Sequence, residues 1–183
     1  MPTAFLIIPV VIVVAAAAWY LLRRQRSHRL RSHFGPEYDR AVRESGARAK
    51  AEEALLAREK RMEKFHIHSL SIHERERFGE EWHDVQACFV DDPAASIREA
   101  DRLVCDVMKA RGYPMSDFEH RAEDLSVDYP HIVRKYRAAH MIALRHETGQ
   151  ASTEEVRQAL VYYRDLFDEL LAVHVTGSKE VHQ

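Results

Sequence analysis

The sequence predicts an all-α protein, with an N-terminal single transmembrane helix followed by a small antiparallel helical bundle. Three observations lead to this fold class. The first 22 residues contain no charged side chain. Ser-x-x-Glu capping boxes and Gly or Pro residues divide the rest of the chain into helix-length segments. Apolar side chains recur with the period of a helix and not of a strand, for example at Phe78, Trp82, Val85 and Phe89.

The uncharged segment, residues 1–22, is long enough to cross a bilayer. A helix rises about 1.5 Å per residue, so this segment spans roughly 30 Å, the thickness of the hydrocarbon core. Trp19 and Tyr20 lie at its downstream end, where aromatic rings favour the headgroup layer. A cleaved signal peptide is the competing interpretation, but it requires basic residues before the apolar run, and none is present. We therefore expect an uncleaved anchor.

Residues 23–34 are predicted to continue this helix as a basic juxtamembrane extension. The extension contains five arginines, which we call the arginine collar: Arg23, Arg24, Arg26, Arg29 and Arg31. Positive residues beside a membrane span stay on the cytoplasmic side, so we expect the N-terminus outside and the body of the protein in the cytoplasm. Together with Trp19 and Tyr20, the collar forms the predicted membrane interface. It can also attract anionic lipid headgroups, by about 1 kcal/mol for each arginine near the surface.

The charge of the chain is divided unevenly. Residues 1–50 contain nine Arg or Lys against three Asp or Glu, a net +6, whereas residues 51–183 contain 18 against 26, a net −8. An acidic body repels a polyanion, which argues against nucleic acid as its main partner. The predicted partners are the lipid bilayer and an unidentified protein, and the oligomeric state stays open.

Residues 35–70 are predicted to form a charged linker or stalk helix. Gly35-Pro36 should end the first helix, a short amphipathic piece should stop at Gly46, and residues 66–71 should form a linker. A stalk, a modest coiled coil and a helix packed on the body all remain open. The stripe on which these alternatives depend is weak and is interrupted by Arg58; its apolar members are Ala47, Ala51, Leu55, Met62 and Phe65.

Residues 71–173 are predicted to form a bundle of four or five helices, and residues 174–183 a disordered tail. Capping boxes should begin three of the helices, at Ser71, Ser116 and Ser152. An Asp before a Pro should begin two more, at Asp92 and Asp128, and Gly112 and Gly149 should each end one. The other predicted core residues are Ile97, Ala100, Leu103, Val104, Val107, Met108, Ile132, Val133, Tyr136, Ala139, Ala143, Val156, Ala159, Leu160, Tyr163, Phe167 and Leu170.

Motifs that identify an enzyme or a cofactor site are missing from the sequence. It contains no Gly-rich phosphate loop, no GxSxG and no CxxC. The pair Glu80 and His83 is only half of a di-iron pattern, and the histidines at positions 66, 68 and 73 lack the second half of a zinc site. We therefore predict no catalytic, cofactor-binding or metal-binding residue.

Four further side chains receive individual predictions. Cys88 and Cys105 lie in helical patterns and are expected to be buried small residues; a disulfide between them is possible, but no feature of the sequence requires one. Trp82 shares a stripe with other apolar residues and is expected in the core. Tyr113 lies in a turn beside a proline, where packing and contact with a partner both remain open, so it is the candidate partner contact.

Four stretches of the chain, HFGPEYDRAV, FVDDPAA, RGYP and DLSVDYP, resemble a family of bacterial conserved hypothetical proteins. Members of that family have one N-terminal membrane segment and a helical body. The resemblance covers roughly residues 30–172. It implies the architecture described above, and it implies no activity, ligand or catalytic residue.

These features predict a membrane-anchored cytoplasmic helical domain that acts as a non-enzymatic protein-interaction or scaffold module. The alternative is a helical bundle that binds a small ligand or a metal, as a sensor or as an enzyme. The alternative requires an enclosed pocket with converging polar groups. The residues expected to meet there are Glu80 or His83 with His120, His131 or His140.

Overall fold

A computed structural model of the chain describes the backbone of residues 3–172 and the side chains of residues 14–172. Within this range the chain forms eight α-helices and no strand, which confirms the all-α prediction. Two compact units are present, Met1–Ala57 and Arg58–Gln183, and the boundary between them falls within α3. The helices are α1 (Thr3–Phe34), α2 (Pro36–Ser45), α3 (Arg48–Met62), α4 (Ile72–Cys88), α5 (Pro93–Ala110), α6 (Phe118–Asp128), α7 (Val133–Glu147) and α8 (Thr153–Leu171).

The predicted membrane span falls largely where side chains are not described. The side chains of residues 1–13 lie outside the described set, and so do residues 173–183, which include the predicted tail. In the described part of the chain, no helix is both long enough and apolar enough to cross a bilayer.

Glycine turns separate the helices of the first unit. α1 ends at Phe34 because Gly35 adopts a φ of 49° and Pro36 begins α2. α2 ends at Gly46, which has a φ of 67° and donates its amide hydrogen to the Val42 carbonyl. Both predicted breaks are therefore confirmed.

The apolar stripe predicted along α3 is buried in the middle and exposed at its ends. Ala51, Leu55 and Met62 are buried, whereas residues 47 and 65 are exposed. The interrupting charge is buried as well: Arg58 is 8% exposed and donates a hydrogen bond to Glu123 of α6 at 2.9 Å. A charge can lie in this stripe because a carboxylate of the same unit pairs with it.

The second unit is a bundle centred on α5 and α8. α8 packs on α5 and α7, α4 packs on α5, and α6 packs on α7. The predicted core residues of the bundle are confirmed, although Phe89, Ala143 and Leu160 are only partly buried. Trp82 is in the core as predicted, with its ring stacked on Phe167 at a centroid distance of 4.8 Å.

The predicted antiparallel arrangement holds for one pair of neighbouring helices and not for another. α7 and α8 are antiparallel, because Lys135 pairs with Asp165 at 2.5 Å and Arg145 pairs with Glu155 at 2.6 Å. α5 and α8 run in the same direction. Asp101 lies beside Tyr163 near the middle of both helices. Ten residues later, Arg111, the C-terminal cap of α5, donates a hydrogen bond to the Leu170 carbonyl near the end of α8.

Three of the predicted helix starts are confirmed. Ser71 and Ser152 form complete capping boxes with Glu74 and Glu155. Asp92 caps α5 by accepting a hydrogen bond from the backbone N–H of Ala95 at 2.9 Å. These motifs satisfy backbone groups within one turn, so they can be recognised without knowledge of the tertiary structure.

Two predicted helix starts are wrong. The cap of α6 is Asp117 and not Ser116, because the Asp117 carboxylate accepts from the N–H of His120 at 3.1 Å. Asp128 does not begin a helix; it is the last residue of α6. Tyr129 lies outside the helical region, with φ −128° and ψ 57°, as expected for a residue that precedes proline, and α7 begins only at Val133.

Candidate functional site

The part of α1 that follows the predicted span has two different faces. Ser27, Leu30 and Phe34 follow one another at helical spacing and are at most 4% exposed. The predicted membrane-interface residues, namely Trp19, Tyr20 and the five arginines of the collar, are all exposed. This helix therefore buries one face, which contains two apolar residues and one serine, and presents the arginine collar on its remaining surface.

A buried carboxylate joins the three helices of the first unit. Oε1 of Glu52 in α3 accepts hydrogen bonds from the Ser27 hydroxyl at 2.6 Å, the Tyr38 hydroxyl at 2.8 Å and Nε of Arg48 at 3.0 Å. Burial alone would raise the pKa of Glu52, but these three hydrogen bonds outweigh it and lower the pKa below its ordinary value. Burial and the neighbouring Glu52 raise the pKa of Tyr38. Glu52 is therefore held in its ionised form.

An open groove of about 680 Å³ lies beside this carboxylate. Its walls contain Arg23, Arg24, Arg31 and Arg48, and we call it the arginine groove. Trp19, Tyr20, Ser27, His28 and Glu52 complete the lining. With four arginines and one carboxylate, the groove carries a net positive charge that favours an anion.

A second groove of about 550 Å³ shares part of this lining but has a different charge balance. Arg23 and Arg26 are matched there by Glu52 and Glu53. Its two arginines and two carboxylates leave no excess of positive charge, so the arginine groove is the better anion site.

Local contacts orient two arginines of the groove without burying them. The Arg23 guanidinium lies over the Trp19 ring, 5.2 Å from its centroid. Arg31 and Asp39 approach to 3.5 Å with 67% and 49% of their side chains exposed. An ion pair this exposed contributes little free energy, so Arg31 stays available to another anion.

The histidines and carboxylates proposed for a ligand site in the bundle are not brought together. His83 is exposed, His120 bonds to Asp117 of its own helix turn, and His131 lies 3.2 Å from Glu169. His140 stacks on Phe118 with ring centroids 3.6 Å apart. Among the residues with described side chains, no group of three or more His, Cys, Asp or Glu is arranged to hold a metal ion.

A different set of polar residues meets inside the bundle, and the sequence analysis did not identify it. This polar cluster consists of Asp101 and Cys105 from α5, Arg121 from α6, Tyr136 from α7 and Tyr163 from α8. Within the described structure, Asp101 is close to the Tyr163 hydroxyl and Arg121 to the Tyr136 hydroxyl. Both hydroxyls, one Asp101 oxygen and Nε of Arg121 are nevertheless buried without a partner in good hydrogen-bond geometry. Burial, reinforced by the nearby Asp101 carboxylate, raises the pKa of Tyr163 and Tyr136.

Tyr113, the candidate partner contact, lies in the core. It is 3% exposed, and its hydroxyl donates a hydrogen bond to Asp128 at 2.5 Å. Burial and that carboxylate raise the pKa of Tyr113. Of the two interpretations left open by the sequence, burial favours packing.

Neither cysteine matches its prediction completely. Cys88, the last residue of α4, is exposed, so the expectation of burial is wrong for it. Cys105 is half-buried, and both thiols are free of a disulfide. Burial raises the pKa of the Cys105 thiol, and the nearby Asp101 adds to this effect.

No protein-family model matches this chain, and neither a curated protein nor a solved structure matches it. Function is therefore inferred from the residues of the chain itself.

Proposed function

We propose that this protein is a single-pass membrane protein with its N-terminus outside the cell and its helical bundle at the cytoplasmic face. In this role the bundle is a protein-interaction module without catalytic activity of its own. The main supporting observation is the arginine collar, which is exposed on α1 directly after an uncharged segment of 22 residues.

The orientation follows from the distribution of charge. Five arginines follow the uncharged segment within nine residues. Basic residues next to a span resist translocation, so the flank with the collar stays inside. An acidic body on the same side is compatible with this orientation, because Asp and Glu contribute little to topology.

Anchoring gives the bundle its functional advantage. A domain tethered to the bilayer meets its partners at a raised effective concentration and only at the membrane surface. The bundle has a continuous apolar core formed by α4–α8, which supports a stable folded surface for such contacts.

Topology in intact cells tests the proposal. A tag after Gln183 should resist added protease until the membrane is permeabilised, and a tag before Met1 should be cut at once. Replacing all five collar arginines by glutamate should reverse or scramble this result. As a control, Lys60→Glu and Lys64→Glu change exposed basic residues away from the collar and should leave topology unchanged. Digestion of the C-terminal tag in the unaltered chain would contradict the proposal.

The alternative, a bundle that binds a small ligand, is supported by the polar cluster. Buried hydroxyls without partners are uncommon in folded proteins and call for an explanation. Native mass spectrometry of the full chain purified from cells would detect a retained molecule. The alternative requires an added mass that is lost in Tyr163→Phe and kept in Tyr162→Phe, a neighbouring tyrosine outside the cluster.

A further inference from the structure

We propose that the arginine groove binds the phosphate group of an anionic glycerophospholipid in the inner leaflet. This inference rests on the proposed function, because a lipid headgroup reaches the groove only if the preceding segment spans the bilayer. It adds a defined ligand chemistry and a defined site to the general attraction between arginines and a negatively charged surface.

The charge of the groove is not neutralised from within. Among the described residues that line the groove, Glu52 is the only carboxylate, and one of its oxygens already accepts three hydrogen bonds. Four guanidinium groups surround the remaining space. Each guanidinium can donate two parallel hydrogen bonds to a phosphate, which makes arginine well suited to this ligand.

The position of the groove along α1 favours a lipid over a soluble phosphate. Trp19 and Tyr20 line the end of the groove that is nearest to the predicted span, and these residue types prefer the headgroup layer of a membrane. Arg23 and Arg24 lie one helical turn further on, and Arg31 lies about 12 Å beyond Arg23 along the helix axis. The groove therefore extends from the level of the headgroups into the aqueous layer, and its aromatic end suits the glycerol and upper acyl region.

One collar arginine provides a matched control. Arg29 lies two residues after Ser27, about 200° around the helix from this groove-lining residue. It carries the same charge as Arg31 and lies only about 3 Å from it along the helix axis, but it is not part of the lining. A non-specific surface attraction would treat Arg29 and Arg31 alike, whereas a site in the groove would not.

The experiment uses the full chain in nanodiscs of phosphatidylcholine containing a minority of phosphatidylglycerol. After gentle release, native mass spectrometry counts the lipids that stay bound. We expect the chain to retain phosphatidylglycerol in preference to phosphatidylcholine. Arg31→Gln should reduce this preference by about fivefold, and Arg29→Gln, which removes the same charge, should leave it nearly unchanged. Equal losses in the two variants would overturn the proposal.

Two additional arms separate the possible reasons for failure. The full chain in nonionic detergent with added phosphatidylglycerol is titrated with inorganic phosphate and, separately, with glycerol phosphate, using Trp19 fluorescence as the readout and Trp19→Phe as the blank. Displacement of phosphatidylglycerol by either soluble anion at comparable affinity would overturn the choice of a lipid. If the chain integrates into nanodiscs but shows no preference for phosphatidylglycerol over phosphatidylcholine, the lipid site in the groove is refuted and the anchor is not. If the chain does not integrate, both the proposed anchor and this inference are refuted.

Discussion

The Ser27 hydroxyl donates a hydrogen bond to Oε1 of Glu52 at 2.6 Å, joining residues that are 25 positions apart. The hydroxyl belongs to α1 and the carboxylate to α3, and Tyr38 of α2 donates to the same oxygen. A single anion thus holds the three helices that form the first unit. Its ionisation should therefore control the stability of that unit.

We predict that Glu52→Gln destabilises the first unit at neutral pH by about 1–3 kcal/mol, the usual worth of hydrogen bonds to a charged group. The folded pKa of Glu52 lies below its unfolded value. Its contribution is therefore complete above the unfolded pKa, near pH 4.3, and is lost as the pH falls through the folded pKa. The variant should lack this acid-dependent loss.

Hydrogen exchange of the α2 and α3 amides, corrected for intrinsic rates at each pH, measures this effect. Glu53→Gln is the matched control because Glu53 is the exposed neighbour of Glu52. If both variants exchange at the same rate as the unaltered chain at pH 7, the carboxylate does not hold the unit together.

Asp124 should show the opposite pH dependence. It is 2% exposed, and burial raises its pKa even though Arg61 bonds to it at 2.7 Å and acts in the other direction. A carboxyl with a raised folded pKa loses stability as the pH rises from its unfolded pKa through the folded one. Asp124→Asn should flatten that slope and change stability at pH 7 little, because burial disfavours the ionised carboxyl that the substitution removes.

Urea unfolding followed by Trp82 fluorescence in a Trp19→Phe background reports on the bundle alone. Glu123→Gln is the contrasting variant, because Glu123 pairs with the buried Arg58. Loss of the Glu123 carboxylate should destabilise the bundle by about 1–3 kcal/mol. A large loss of stability at pH 7 in Asp124→Asn would contradict the sign derived from burial.

Three glycines allow backbone strain to be separated from steric overlap. Gly112 has a φ of 91°, and a Cβ at this position would lie 2.6 Å from the His66 carbonyl oxygen. Gly149 has a φ of 71° with open space around it, and Gly79 lies in α4 with neither restriction. Substitution by alanine should cost about 2–4 kcal/mol at 112 and about 1 kcal/mol at 149, and should stabilise by about 0.5–1 kcal/mol at 79.

The same urea titration ranks these three variants. Equal effects at 112 and 149 would mean that the left-handed conformation alone limits both positions. A loss of stability in Gly79→Ala would mean that the surroundings of this glycine in α4 are more tightly packed than the structure indicates.

The features that could be predicted from the sequence are those determined within a few residues. The caps at Ser71, Asp92 and Ser152 and the buried face of α5 follow from local hydrogen bonding and helical spacing. The error at Ser116 is also local: Asp117 is an equally good cap one position later, so two helix starts compete.

The candidate sites were much harder to predict. The collar could be recognised from the sequence because its arginines are close together in the chain, but Glu52 could not, because its partners come from three different helices. The contact between Asp101 and Tyr163 was also unpredictable, since it depends on α5 and α8 running side by side in the same direction. No periodic pattern encodes which helices become neighbours.

The two cysteines should differ strongly in reactivity. Cys88 is exposed, whereas Cys105 is half-buried and burial raises its thiol pKa. Because the thiolate is the reactive species, a disulfide reagent added to the native full chain at pH 7.5 should modify one thiol quickly and the second at least about tenfold more slowly. Cys88→Ser should abolish the fast phase, Cys105→Ser should preserve it, and unfolding in urea should make both thiols equally fast. A fast phase that survives Cys88→Ser would show that the bundle opens readily at α5, next to the polar cluster.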